Sequence, residues 1–255
     1  MDKEAVKRLY DLAPMNSPDL HDQIFKEILE PGERFTKESA DEYKAGMELL
    51  GKLFMIHRDY NERHPFGDMF SEYLQEHGKL NAGAGQFFTP YNVADAMTQM
   101  ILGIEDDLKG EPLTILDPAA GTGRFMLSTA KHYAKEVGMF NFIFTNIDID
   151  RRVFIYCVMN AILYRIPSIN IQGNTISNEF WDCFATIPTL TKAGVICEWK
   201  RIDAKIMEKR FEKMFEASRP AKGMEQFVGK VAKKDRPVVI RRYKPEPEQR
   251  TLFEG

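Results

Sequence analysis

The spacing of apolar and polar positions changes near residue 112, and the two halves predict different elements. Up to about residue 80, apolar residues recur every three or four positions, as in LHDQIFKEILE, ESADEYKAGMELLGKLFMIHRDY and FGDMFSEYLQEHG. That spacing gathers them on one face of a helix. Pro31-Gly32 and Pro65-Phe66-Gly67 break the pattern between helices. A glycine-rich loop, NAGAGQFFTP, follows, and then a further helix, YNVADAMTQMIL.

From residue 113 short apolar runs alternate with helical ones. Leu113 to Leu116 reads as a strand and Gly123 to Val137 as a helix; Phe142 to Ile147 and Asp150 to Tyr164 repeat the pair. Ile169 to Ile171, Cys183 to Ile187 and Val195 to Trp199 read as three more strands. This alternation predicts an α/β fold built on a parallel sheet with crossover helices. The chain thus divides into a helical N-terminal domain (1–80), a sheet domain (81–217) and a basic, Pro-rich tail (218–255) whose composition predicts flexibility. Sheets of this kind bind ligands beyond the carboxyl ends of their strands.

Composition narrows the class only slightly. Against 38 acidic residues stand 35 Lys and Arg, which argues against a uniformly basic nucleic-acid coat but not against a local basic strip. No apolar run approaches the ~18–20 residues that span a bilayer, and the charged start MDKEAVKRLYDL is unlike a signal peptide. Cys157, Cys183 and Cys197 show neither metal-ligand spacing nor a disulfide framework, as expected of a cytoplasmic protein without a metal site.

The candidate chemistry starts in TILDPAAGTGRF, where Asp117 ends a strand and Gly121 and Gly123 lead into a helix. Glycines at such a bend let backbone approach a ligand closely. A dinucleotide fold wants a pyrophosphate here, yet a carboxylate at the strand tip repels phosphate, and Met126 replaces the third glycine of G-x-G-x-x-G. Asp117 suits a ligand with a positive end, such as the amino and sulfonium groups of S-adenosylmethionine (SAM). In FTNIDID, Asp148 stands at the end of the second strand, where an acidic residue grips ribose hydroxyls. Its alternative role, capping the next helix, fits Asp150 better.

In order, GQFFTP (85–90), DPAAGTGRF (117–125), NIDID (146–150) and GNTI (173–176) resemble the N6-adenine DNA methyltransferases, above all the modification subunits of type I restriction systems. The resemblance runs over roughly residues 20 to 190 and includes DMFSEY (68–73), which is similar to the D-x-x-G/S-x-x-Y-like segment of those subunits' helical domain. It implies a SAM-binding, Rossmann-like sheet, incomplete here because the alternation ends near residue 200 where the family has seven strands. It also implies roles by position. Phe88, Thr89 and Pro90 would line the methionine end of the cofactor. Asp117, Ala119, Gly121 and Gly123 would surround its amino group and backbone. Asp148 would hold the ribose, with Ile149 against the adenine. Asn174, in place of the family's Asp, would accept the exocyclic amine's hydrogen bond through its side-chain carbonyl.

The next family motif reads F-D-x-x-x-x-N-P-P-F/Y. Here Trp181-Asp182 match the start and Pro188 the first Pro, but Ile187, Thr189 and Leu190 stand for the Asn, the second Pro and the aromatic residue. The family's Asn and Pro carbonyl accept the amine hydrogens of the target adenine, and the aromatic residue stacks on the flipped base. Ile187 has no acceptor, a loss of about 1–3 kcal/mol, and Leu190 gives up stacking of about 1–3 kcal/mol. Together these predict a rate lower by about 10²–10⁴.

In the tail, Lys230, Lys233, Lys234, Arg236, Arg241, Arg242 and Lys244 form a basic strip suited to DNA phosphates or simply to solvent. Gln249-Arg250-Thr251-Leu252-Phe253 resembles the pentapeptide that docks on the bacterial sliding clamp, with Arg250 in place of the usual Leu. Three readings stay open: a DNA adenine methyltransferase subunit completed by a specificity or active modification subunit, a SAM-binding pseudoenzyme, and a DNA- or clamp-associated adaptor.

Overall fold

The computed structural model describes residues 1–13, 19–30, 40–76, 88–102, 112–136, 140–192 and 194–218. The basic strip, the terminal pentapeptide and residues 85–87 of GQFFTP lie outside the described residues.

The helical half contains α1 (Lys3–Leu12), α2 (Leu20–Ile24), α3 (Ala40–Arg63) and α4 (Met69–Glu76). The Asp2 carboxylate caps α1 by accepting from the Ala5 N–H at 3.1 Å, and Ala5, Val6 and Leu9 form its buried stripe. α2 continues as one π-helical turn over Phe25–Leu29, closed by a hydrogen bond from Glu30 N to the Phe25 carbonyl. α3 buries Leu49, Leu53, Ile56 and Tyr60, each three or four residues from the last.

The sheet half opens with α5 (Tyr91–Leu102), whose first turn is held by the Pro90 carbonyl. Then come β1 (Leu113–Asp117), α6 (Arg124–Glu136), β2 (Phe142–Asp148), α7 (Arg151–Tyr164), β3 (Ser168–Asn174), β4 (Glu179–Thr191), β5 (Gly194–Arg201) and α8 (Ala204–Ser218). The strand order is β1-β2-β3-β4-β5. Apolar residues of α6 and α7 pack with Ile115, Phe142 and Phe144 on one face, while Met207 and Phe211 of α8 meet Ile147, Ile169 and Ile171 on the other. α7 is apolar on nearly every side because it is covered twice. Tyr156 stacks on Phe70 of the helical half at 4.7 Å, while Cys157 and Ala161 face the sheet side.

One expectation is corrected. Only β1, β2 and β3 are parallel; β4 and β5 run antiparallel, so the sheet is mixed. The cause is chain length: β3 and β4 are joined by Thr175–Asn178 alone, and a parallel crossover takes about a dozen residues or more. Buried polar groups pin the register. Ser168 Oγ and Thr186 Oγ1 lie 2.7 Å apart, and Asn170 donates to Ser168 at 2.9 Å. Pro188 lies inside β4, opposite Cys197, at a point where β3 has already ended and needs no N–H from it.

Glycines on α3 give opposite expectations for one substitution. A Cβ on Gly46 would stand 1.9 Å from the Glu27 carbonyl oxygen, whereas one on Gly51 meets nothing within 4 Å. In chemical denaturation, Gly46→Ala lowers stability by about 1–3 kcal/mol, while Gly51→Ala raises it by up to about 1 kcal/mol. Equal effects would contradict this packing.

Candidate cofactor-binding site

The parallel strands β1, β2 and β3 end in Asp117, Asp148 and Asn174, and the loops beyond them converge. Asp117 accepts from the Ala119 N–H at 3.1 Å and so turns the chain back just past the strand. The loop then leans over β2: Ala120 N donates to the Ile147 carbonyl at 3.0 Å, and Gly121 N donates to Asp148 Oδ2 at 2.8 Å. The loop after β3 joins them through Thr175 Oγ1, which donates to the Pro118 carbonyl at 2.7 Å.

Two glycines make this bend possible. Gly121 and Gly123 have φ of 56° and 89°, a region that L side chains rarely adopt. At Gly123 a Cβ would also stand 2.9 Å from both Cys157 Sγ and the Met126 methyl. Met126 is buried and its sulfur accepts from Asn146 Nδ2 at 3.1 Å, so this position is a core residue and not a third glycine.

The electrostatics are one-sided. Burial raises the pKa of Asp117, the charge of Asp148 adds to this, and the Ala119 N–H opposes it. Asp148 is likewise raised by burial, against hydrogen bonds from the Asp150 and Gly121 N–H groups. Among the described residues no Lys or Arg forms an ion pair with either carboxylate. Two acids without a counter-charge fit a ligand that brings its own cation and hydroxyl donors. Ile149 is 57% exposed and Ile176 fully exposed, two apolar side chains on the loops after β2 and β3. A Cβ on Gly121 would stand 3.5 Å from the Phe88 ring, so the ring lies close beside the loop, while Thr89, Pro90 and Ala119 are exposed. Asp150 caps α7, its carboxylate accepting from Arg152 N at 2.8 Å, which leaves Asp148 to the site. A cavity of about 380 Å³ between β4 and α8, lined in part by Trp181, Arg201 and Lys205, includes none of these residues.

Two candidate assignments do not fit this geometry. The side-chain carbonyl of Asn174 accepts from the N–H groups of Ile176 (3.0 Å) and Ser177 (3.3 Å). It is engaged in a turn, and the free polar edge of Asn174 is its amide NH₂, a donor instead of the expected acceptor. Ile187, Pro188, Thr189 and Leu190 are not brought to the site either. Thr186 pairs with Ser168 at the amino end of β3, so the four residues lie beyond it, at the opposite end of the sheet from Asn174. Six residues of strand separate the two ends, about 20 Å. Thr122 and Thr175 went unremarked in the sequence; each acts through a hydroxyl that reaches another loop, and no spacing reveals such a reach.

The fold and the site define an α/β domain with an acid-lined glycine bend over the ends of its parallel strands. The N-6 DNA Methylase family matches residues 61–227, well over half of the chain, and the chain belongs to that family. Solved structures with a likeness to it include these three. One is described as a modification subunit of a type I restriction enzyme from Vibrio vulnificus (16% identity, 52% of this chain, 27% of that one, TM-score 0.36). The second is described as a class I S-adenosylmethionine-dependent methyltransferase from Listeria monocytogenes (15%, 65%, 52%, 0.36). The third is a type I restriction-modification methyltransferase subunit from Streptococcus thermophilus (19%, 64%, 36%, 0.31). This chain spans from about a quarter to about half of their lengths. No curated protein matches it.

Asp117 gives a pH-dependent test. Its raised pKa means that the folded chain holds the proton more tightly than the unfolded one, so stability is lost as pH rises through the raised value. Asp117→Asn therefore raises the urea midpoint at neutral pH, with the gain disappearing below the ordinary value of 3.8. A lowered midpoint at pH 7 would show that an unseen cation balances the carboxylate.

Proposed function

We propose that this chain binds SAM on the bend between Asp117 and Asp148 and does not by itself methylate adenine. The observation that carries the reading is the pair of carboxylates beside the glycine loop, which among the described residues have no ion-pair partner. The ammonium and sulfonium of SAM supply the missing charge, and its ribose supplies hydroxyls for Asp148. Family membership supports the same cofactor. The side chains of Ile149 and Ile176 offer apolar surface to an adenine ring.

The second half of the proposal rests on position. An adenine amine is a poor nucleophile until acceptors draw on its hydrogens, and residues 187–190 stand far from any base presented to the cofactor. β1 is an outer strand among the described residues, and its side chains Thr114 and Leu116 are exposed. The reading assigns the chain to a DNA adenine modification system, where a specificity subunit or an active modification subunit provides DNA recognition and the amine-activating corner. A cofactor-holding regulatory subunit uses the same geometry. The adaptor reading depends on the tail and draws nothing from the described residues.

Titration calorimetry with SAM and a transfer assay with labelled SAM and adenine-containing duplex DNA test both halves. Saturable binding and no transfer are expected. The triple change Ile187→Asn, Thr189→Pro, Leu190→Phe recovers no transfer, because the restored motif still lies at the wrong end of the sheet. Transfer by the unaltered chain would overturn the second half, and the absence of binding heat the first.

A further inference from the structure

We infer that Asp68, in the helical half, is a positioning residue for the cofactor loop, acting through Thr122; the inference rests on the SAM-binding reading above. Asp68 is fully buried and caps α4, its Oδ1 accepting from Ser71 N at 3.1 Å. Its other oxygen reaches into the sheet half, where it accepts from Thr122 Oγ1 at 2.5 Å and stands 3.5 Å from Arg124 Nε. Asn160 of α7 completes the grip: its Nδ2 donates to Asp68 Oδ1 at 3.0 Å and to the Thr122 carbonyl at 2.9 Å. Thr122, the residue between the two positive-φ glycines, is therefore held at both its hydroxyl and its carbonyl.

The surroundings lock the same point. Arg124 lies over the Tyr91 ring, 3.4 Å from its centre, and also donates to Ser71 Oγ. The Tyr91 hydroxyl accepts from Asp68 N at 2.9 Å. One buried residue, through its carboxylate and its backbone N–H, thus joins α4, the start of α5, the glycine loop, the start of α6 and α7.

The physical need follows from the glycines. Gly121 and Gly123 give the loop its shape at the cost of many alternative backbone states. A loop that spends only part of its time in the binding shape loses affinity by that fraction. The Asp68–Thr122 bond removes the alternatives without touching the ligand, so the helical half belongs to the cofactor site through mechanics alone.

Asp68→Ala would strip a buried guanidinium of its counter-charge and risk the fold, so the hydroxyl is the cleaner probe. Thr122→Val keeps the shape and removes the bond, and Thr122→Ser keeps the bond. Calorimetry with S-adenosylhomocysteine should show an affinity about tenfold lower for Thr122→Val and within about twofold of wild type for Thr122→Ser. Leu9→Ala, a core change in α1, controls for general destabilisation and should leave affinity unchanged. Amide hydrogen exchange at Gly121 and Gly123, read in ligand-free protein, should quicken in Thr122→Val and not in Thr122→Ser. If the wild type binds and Thr122→Val binds equally, or if Leu9→Ala weakens binding as much, the positioning role is overturned while the cofactor reading stands. If the wild type does not bind, the cofactor reading falls, and unchanged exchange in Thr122→Val would overturn the anchoring as well.

Discussion

Asp117 and Asp148, held near each other at the ends of two adjacent parallel strands, constrain everything else in this chain. Each is raised by burial, and each is satisfied in part by loop N–H groups. Those hydrogen bonds hold the carboxylates in place, yet they do not neutralise them. The loop can provide them only because Gly121 and Gly123 accept positive φ, and Gly123 needs the space as well, with Cys157 and Met126 packed against it. Moving the loop would take the Ala119 N–H from Asp117 and the Gly121 N–H from Asp148, a costly loss for half-buried acids that have no ion-pair partner among the described residues. The fold therefore presents an acidic shelf, and on the proposed reading the ligand brings the compensating charge.

Topology sets a second limit. After β3 the chain reverses within four residues, so β4 runs back beside β3 and its far portion ends at the amino side of the sheet. Residues resembling an amine-activating motif are carried away from the shelf by strand direction, before any substitution in that motif is considered. The loss foreseen from Ile187 and Leu190 is thus a lesser matter than their place. β1, meanwhile, has a neighbour on one side only among the described residues. Outer strands with unsatisfied backbone attract further strands.

Much of this was legible in the sequence, and the rest was hidden for identifiable reasons. The first three strands, the glycine bend and the Asp150 cap of α7 follow from local patterns: apolar runs, turn residues and a helix cap. The direction of β4 was missed because apolar runs mark strand cores and not their ends. Ile169 to Ile171 and Cys183 to Ile187 leave a gap long enough for a crossover, whereas the real strands leave four residues. Asn174 was misjudged because its hydrogen-bond capacity was counted without asking which N–H groups its own turn would present. Asp68 was visible within DMFSEY as part of a resemblance, yet its partner Thr122 lies 54 residues away, and no one-dimensional pattern couples a helix cap to a distant loop. Arg124 likewise reads as an ordinary first-turn residue until Asp68 and Tyr91 are seen around it.

The most direct measurement is a crystal structure of the chain grown with S-adenosylhomocysteine. The account predicts the ligand's amino group beside Asp117, its ribose hydroxyls on Asp148, its base between Ile149 and Ile176, and Gly121–Gly123 unmoved. A ligand seated elsewhere, such as the cavity beside Trp181, or a lysine or arginine found resting between the two carboxylates, would contradict it.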